Sequence, residues 1–320
     1  MSTSRNSAVL EMGFNPLNPA LEVSSGGHAL DTSPDKWGEL RDSSEIAFDG
    51  EALRQRMAED GYLFLPGLLH REEVLQARRV VAEHLMAHGH LLPGTDPMEC
   101  IAHPDSQLAF MPQVARDNAP LMKVLYSGPM MEFYARFLNG PVRHFDFTWF
   151  RAVSPGGSTF PHTDAVYMNR GTSNLYTSWT PIGDVPRHVG GLMVLENSHT
   201  IDRIRNNYSN KDVDAFCENR KPDHKDMGGG GNIRAGGWLS KNPAKLRDAL
   251  GGRWLTSEFR AGDLLMFSIY TVHASIDNKS DQVRLSSDSR YQLASEAVDE
   301  RWVGAEPIGH GPNAKRGMIC

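Results

Sequence analysis

Three cysteines in 320 residues, Cys100, Cys217 and Cys320, are too few and too scattered for a disulfide framework or a thiolate zinc site, and they read as reduced thiols. No run approaches the roughly 18 consecutive apolar residues that a membrane span requires. The opening residues, MSTSRNSAVLEMGFNPLNP, lack the apolar stretch of a secretory signal, so the expected compartment is the cytoplasm. Surplus positive charge is missing too: 33 Lys and Arg against 39 Asp and Glu leave a net charge of -6. Nucleic acid is therefore not an expected partner, because phosphate binding needs concentrated cations. No internal repeat is found, and nothing in the chain specifies an oligomeric state.

What is present changes character along the chain. Residues 1–45 are rich in Ser, Gly, Asn and Pro without periodicity, and are expected to form an arm, lying over the domain or partly disordered. Asp49 is placed to cap a short helix in which Leu53 and Met57 share a face, and Gly61 to end it. YLFLPGLL follows as a buried strand closed by a Pro-Gly turn. From Arg71 to about Met86, the positions of Val74, Ala77, Val81 and Leu85 predict an amphipathic helix. A further helix, MMEFYARFL, stops at Asn139-Gly140.

Beyond it come short β-rich runs: RHFDFTWFRAV, NLYTSWTPI, GLMVLE, RWLTSEF, DLLMFSIY and RLSSDSRYQL. The predicted fold is mainly β with flanking helices, a jelly-roll or cupin-like double-stranded β-helix. One domain is expected over 46–300, with a tail at 301–320. About fifty residues, 200–253, carry charges and glycine runs with weak periodicity, and are expected to form an insertion able to close over a site.

The chemistry concentrates in FPHTDAVY. His162 and Asp164 are two apart, and in an extended chain residues i and i+2 point the same way, so both can meet one ion. An imidazole and a carboxylate suit a divalent transition metal that takes a third ligand from elsewhere. His273, ending the apolar run MFSIYTVH, is the strongest candidate. Two His and one carboxylate on one face leave adjacent positions for a bidentate co-substrate and O2, the arrangement of non-haem iron oxygenases. Downstream, VRLSSDSRYQ puts Arg284 on the next strand with Ser286 on the same face. A guanidinium fork can grip the far carboxylate of a keto diacid in a way that Lys cannot.

An HxD pair alone arises easily by chance among 13 His and 39 acidic residues. The joint pattern is far more specific, and over about residues 50–295 it resembles the phytanoyl-CoA dioxygenase-like branch of the iron(II)/2-oxoglutarate oxygenases. The motifs that carry the resemblance are GYLFLPGLL, FPHTD, SWTPI, GGLMVLENSHT, AGDLLMFSIYTVHAS and VRLSSDSRYQ. It implies that His162, Asp164 and His273 are the iron ligands and that Arg284 anchors 2-oxoglutarate. Ser275 and Trp179 match further 2-oxoglutarate contacts. The implied reaction consumes O2 and 2-oxoglutarate, releases succinate and CO2, and oxidises a C–H bond of a small organic molecule, with secondary metabolism as the candidate setting. Hydroxylation is the default outcome, while desaturation, ring closure and epimerisation use the same chemistry. Related halogenases have a small residue where Asp164 stands, so halogenation is not expected.

For the substrate wall the sequence suggests Phe147 and Trp149, which alternate, with Tyr167 and Met168 just after the metal motif; Arg234 and Trp238 lie in the insertion. His84 and His88 share a helical face but lack the Glu of an HExxH site. The glycine run at 228–231 lacks the ending of a phosphate loop. The competing enzyme class is a hydrolase or isomerase holding zinc or manganese with the same three ligands on a cupin-like barrel. A silent binding protein that kept the fold is the third reading. Arg284 favours the oxygenase over the hydrolase, which needs no keto-acid anchor there, and the intact triad argues against the silent binding protein.

Overall fold

A computed structural model describes residues 22–217 and 237–318. The arm's first 21 residues, the glycine run at 228–231, Arg234 and Cys320 lie outside them. In chain order the strands are β1 (Ser24–Ser25), β2 (His28–Ala29), β3 (Trp37–Glu39), β4 (Tyr62–Leu65), β5 (Val142–His144), β6 (Trp149–Val153), β7 (Tyr176–Pro181), β8 (Leu192–Leu195), β9 (Ala215–Cys217), β10 (Trp254–Thr256), β11 (Leu264–Ser268), β12 (His273–Ser275), β13 (Arg284–Leu293) and β14 (Arg316–Met318). The helices are α1 (Gly50–Asp60), α2 (Arg71–Ala87), α3 (Gln113–Arg116), α4 (Ala119–Tyr126), α5 (Gly128–Leu138) and α6 (Pro243–Leu250).

Local chemistry explains the helix ends. Asp49 accepts from the backbone N–H groups of Glu51 and Ala52 at 3.0 Å, and Gly61 closes α1 with a φ of 75° that a side chain would resist. α2 buries Val74, Ala77, Val81 and Leu85, one stripe at helical spacing. α5 ends at Asn139 in the left-handed region, φ 55°.

The six-stranded sheet runs β4-β11-β7-β13-β5, with β6 also pairing β13. Its two faces bury different residues. Leu63, Leu65, Leu264, Met266, Leu285 and Tyr291 pack under α1, α2, α4 and α5. Tyr62, Phe64, Trp179, Leu265 and Phe267 point the other way, toward Leu192, Val194 and Leu255 of the second sheet, β12-β8-β10-β3. The result is the two open, facing sheets of a jelly roll, with α1, α2, α4 and α5 on one outer face and α6 against the other. Each fully buried Leu or Phe in these layers contributes about 1.5–3 kcal/mol.

Several boundaries differ from expectation. RHFDFTWFRAV breaks into β5 and β6 around an irregular 145–148 stretch, so Phe147 precedes the strand that carries Trp149. The arm belongs to the fold from Ser24 onward. β3 pairs in parallel with β10, Trp37 is buried, and Asp277 accepts from Ser24 Oγ and from the N–H groups of Gly26 and Gly27. Residues after 300 are likewise built in, because the Arg301 guanidinium is held by Asp299, Asp212 and Asp214 while Trp302 packs on Trp149. The flanks of the insertion are structured: Ile204, Tyr208 and Val213 join a core with Trp37 and Trp254, against which Leu239 and Leu246 pack.

Candidate metal centre

His162, Asp164 and His273 are brought together and buried, their ligand atoms lying within 4.8 Å of one another. The local backbone differs from a single strand. His162 makes an isolated β-bridge with His273, donating its N–H to the His273 carbonyl at 3.1 Å and accepting from the His273 N–H at 3.0 Å. Asp164 then starts a 3-10 turn, Asp164–Val166. Thr163 between them is extended, φ -113° and ψ 149°, and this is why His162 and Asp164 still point the same way.

The histidines present matching atoms. His162 Nδ1 lies 2.8 Å from the Phe160 carbonyl, and His273 Nδ1 lies 3.0 Å from the Thr271 carbonyl. A carbonyl only accepts, so each Nδ1 carries the proton and each Nε2 turns a lone pair toward the centre. Burial, with His273 alongside, pushes His162 down to about 3, and burial lowers His273 as well. Both imidazoles are therefore neutral, the form a metal needs.

Asp164 Oδ1 stands 3.7 Å from Nε2 of both histidines. Its Oδ2 accepts from Thr177 Oγ1 at 2.5 Å and from Arg290 Nη2 at 3.0 Å. Burial alone would raise this carboxyl, but the Arg290 guanidinium and the Thr177 hydroxyl hold it below the usual carboxylate range. A charged oxygen and two imidazole nitrogens form a donor set that fits a divalent iron ion.

Arg284, Ser286, Asp288 and Arg290 alternate along β13 and share its inner face, opposite Leu285 and Tyr291. Arg284 is 2% exposed and donates through Nη1 to the Gly190 carbonyl at 2.6 Å. Its Nε, Ser286 Oγ and Trp179 Nε1 are buried with no hydrogen-bond partner. Orphaned polar atoms cost about 1–3 kcal/mol each unless a ligand or water satisfies them, so this cluster fits a polar co-substrate such as 2-oxoglutarate. Ser275 Oγ accepts from the Thr159 N–H at 2.8 Å, which leaves its own proton to donate. Burial and the like charge of Arg151 lower Arg284 to about 10, still cationic at neutral pH.

Above the triad opens a cavity of about 350 Å³. Trp149, Tyr167 and Met168 line it, together with Phe110, Phe160 and Trp238. Phe147 does not. It lies behind Trp149, packed edge-on against Trp149 and Trp302, because it falls in the irregular stretch before β6. Sequence reasoning missed Arg290, Thr177, Arg151 and His310. Arg290 stacks 4.0 Å over the Trp149 ring, and Arg151 gives its Nε to Asp288 at 2.8 Å. His310 comes from the expected tail and pairs with Asp214 at 2.6 Å.

The sequence signature of the phytanoyl-CoA dioxygenase (PhyH) family matches residues 57–286. The chain belongs to that family. Two curated relatives are 1-deoxypentalenic acid 11-beta-hydroxylases. That of Streptomyces arenae is 24% identical over 275 residues, covering 82% of this chain and 87% of the relative. That of Streptomyces exfoliatus is 27% identical over 272 residues, covering 79% and 85%. Among solved structures, the alpha ketoglutarate dependent carbocyclase SnoK from nogalamycin biosynthesis superposes with a TM-score of 0.56 at 19% identity, covering 85% of this chain and 98% of that one. The epimerase SnoN in complex with Fe3+, alpha ketoglutarate and nogalamycin RO gives 0.54 at 21% identity, covering 82% and 94%. These likenesses establish the shared jelly-roll fold.

As a PhyH-family member the protein is an iron(II)- and 2-oxoglutarate-dependent dioxygenase, with O2 as the second co-substrate and a small molecule as substrate. Among the described residues no helix is long and apolar enough to cross a membrane.

Proposed function

We propose that His162, Asp164 and His273 hold the iron, that Arg284 with Ser275, Trp179 and Ser286 seats 2-oxoglutarate, and that the chain, from Ser24 to Met318 one catalytic unit, hydroxylates a C–H bond of a largely apolar secondary metabolite. The observation that carries this reading is the joint geometry of one inner face. Asp164 Oδ1 stands between two neutral Nε2 atoms, while the unpartnered Arg284 Nε lies further along the strand that also positions Asp164 through Arg290.

Iron and 2-oxoglutarate supply the oxidising chemistry, and the protein supplies orientation and water exclusion. Arg284 fixes the far carboxylate of the keto acid bidentately. Thr177 and Arg290 hold the second oxygen of Asp164, so that a single oxygen is offered to the metal. Trp149, Tyr167 and Met168 present an apolar wall beside the triad, keep bulk water away and place the substrate. The relatives named as hydroxylases support hydroxylation and a natural-product substrate.

Anaerobic addition of iron(II) and then 2-oxoglutarate to the metal-free protein tests this. A weak visible charge-transfer band is expected for the wild-type protein and should be lost in His162→Ala. Absence of the band in wild type, or its persistence in that variant, removes the assignment of the ligands.

A further inference from the structure

Among the described residues, the cavity and the strand floor beneath it hold one positive charge too many. Three guanidiniums, Arg151, Arg284 and Arg290, face two carboxylates, Asp164 and Asp288. An iron(II) ion and a 2-oxoglutarate dianion cancel, so loading the site leaves the surplus in place. The adjoining buried acids do not relieve it, because Asp212, Asp214 and Asp299 are already matched by Arg170, Arg301 and Lys315. At the mouth, Lys241 adds a further cation 5.3 Å from the Trp238 ring. A buried charge persists only with a partner, and among the described residues none is left to match this one, so a bound anion would supply it.

The donors to receive an anion are in place. Arg290 is 2% exposed and lines the cavity, yet its Nε and Nη1 have no hydrogen-bond partner. Arg151 gives only its Nε to Asp288, so among the described residues its two terminal nitrogens are unclaimed while it lines the same cavity. Trp149, Phe160, Met168 and Trp238 supply an apolar and aromatic wall beside them, with Ser158 and Thr159 as the small polar groups of the lining. Resting on the dioxygenase reading, we propose that the substrate is a largely apolar carboxylic acid bound as its mono-anion. Arg151 and the free edge of Arg290 take the carboxylate, and the aromatic wall takes the hydrocarbon.

The protein loaded anaerobically with iron(II) and 2-oxoglutarate is titrated with matched probes: cyclohexanecarboxylate, adamantane-1-carboxylate and decanoate, each against the primary alcohol of the same skeleton. Fluorescence of the cavity tryptophans reports binding. At least one acid should bind about tenfold or more tightly than its alcohol, as a charge-assisted fork requires. In Arg151→Gln that ratio should fall to about twofold or less, with thermal stability and 2-oxoglutarate affinity, read from the visible band, close to wild type. Three results overturn the proposal: acids and alcohols binding alike, no acid binding at millimolar concentration, or Arg151→Gln losing 2-oxoglutarate instead of the acid preference. A wild-type protein without the visible band fails the dioxygenase reading, whereas an acid preference measured in that same protein upholds the carboxylate site.

Discussion

Nη2 of Arg290 lies 3.0 Å from Oδ2 of Asp164, the oxygen that faces away from the two histidines. Together with the Thr177 hydroxyl this fixes which oxygen the carboxylate can offer to a metal. Thr177→Val keeps the shape of the side chain and removes the donor. Supporting partners of this kind are commonly worth about 10–100-fold in metal affinity. Iron(II) or cobalt(II) affinity, measured by competition with a chelator, should fall within that range while the fold is retained. Unchanged affinity would mean that Arg290 alone sets the carboxylate.

Gly190 supports Arg284, the proposed keto-acid anchor, from behind. Its carbonyl accepts from Arg284, its φ is 89°, and a Cβ there would sit 2.6 Å from the Ile276 carbonyl oxygen. Gly190→Ala should cost at least ~2 kcal/mol of stability, from the left-handed backbone and the clash together. It should also weaken 2-oxoglutarate binding without touching the metal. Arg284→Met should abolish keto-acid binding and spare metal affinity. Calorimetric titration of both variants separates the two effects.

Arg301 holds three buried or half-buried acids. Removing its charge in Arg301→Met leaves Asp212, Asp214 and Asp299 facing one another, which should cost about 3–5 kcal/mol in urea unfolding at neutral pH.

The same cluster predicts an acid limb. Although burial works the other way, His310 and Arg301 lower Asp214 from 3.8 to about 2. A carboxyl depressed in the folded state stabilises above its unfolded pKa, and that contribution disappears as the pH falls from 3.8 toward 2. Stability should drop across that window in the wild type and drop less steeply in Arg301→Met. Parallel slopes in the two proteins would place the acid sensitivity elsewhere.

Asp277 clamps the first described hairpin by three hydrogen bonds, to Ser24 Oγ, Gly26 N–H and Gly27 N–H. Asp277→Ala should free that segment. Limited proteolysis is expected to cut near residues 24–30 well before the remainder, and an unchanged cleavage pattern would show that β3 alone holds it down.

The iron end was legible because its information is local. HxD brings two candidate ligands together by covalent spacing, His273 closes an apolar strand, and Arg284 with Ser286 follows at strand parity. Arg290 was equally readable, since RLSSDSRYQL puts it on the same alternating face, and the reading stopped four residues short of the pattern's end. Arg151 looked like one more strand residue, because its meaning depends on Asp288 across the sheet. Trp238 was marked only by its place in an insertion able to close over a site, and His310 had no signal at all. They sit in segments without periodicity and reach the cavity only through long-range pairing, such as β14 with β9. Phe147 was misplaced for the opposite reason, a clean alternation that the chain interrupts.

Arg290 touches both halves of the site, with one edge on Asp164 and its flat face on Trp149. A single rigid group shared by the metal shell and the cavity wall makes their occupancies interdependent, and thermodynamics requires that dependence to be mutual. By whatever factor a cation in the triad tightens the grip on a guest in the cavity, the guest raises the affinity for the cation by the same factor. An enzyme so arranged keeps its metal best while it has something to oxidise.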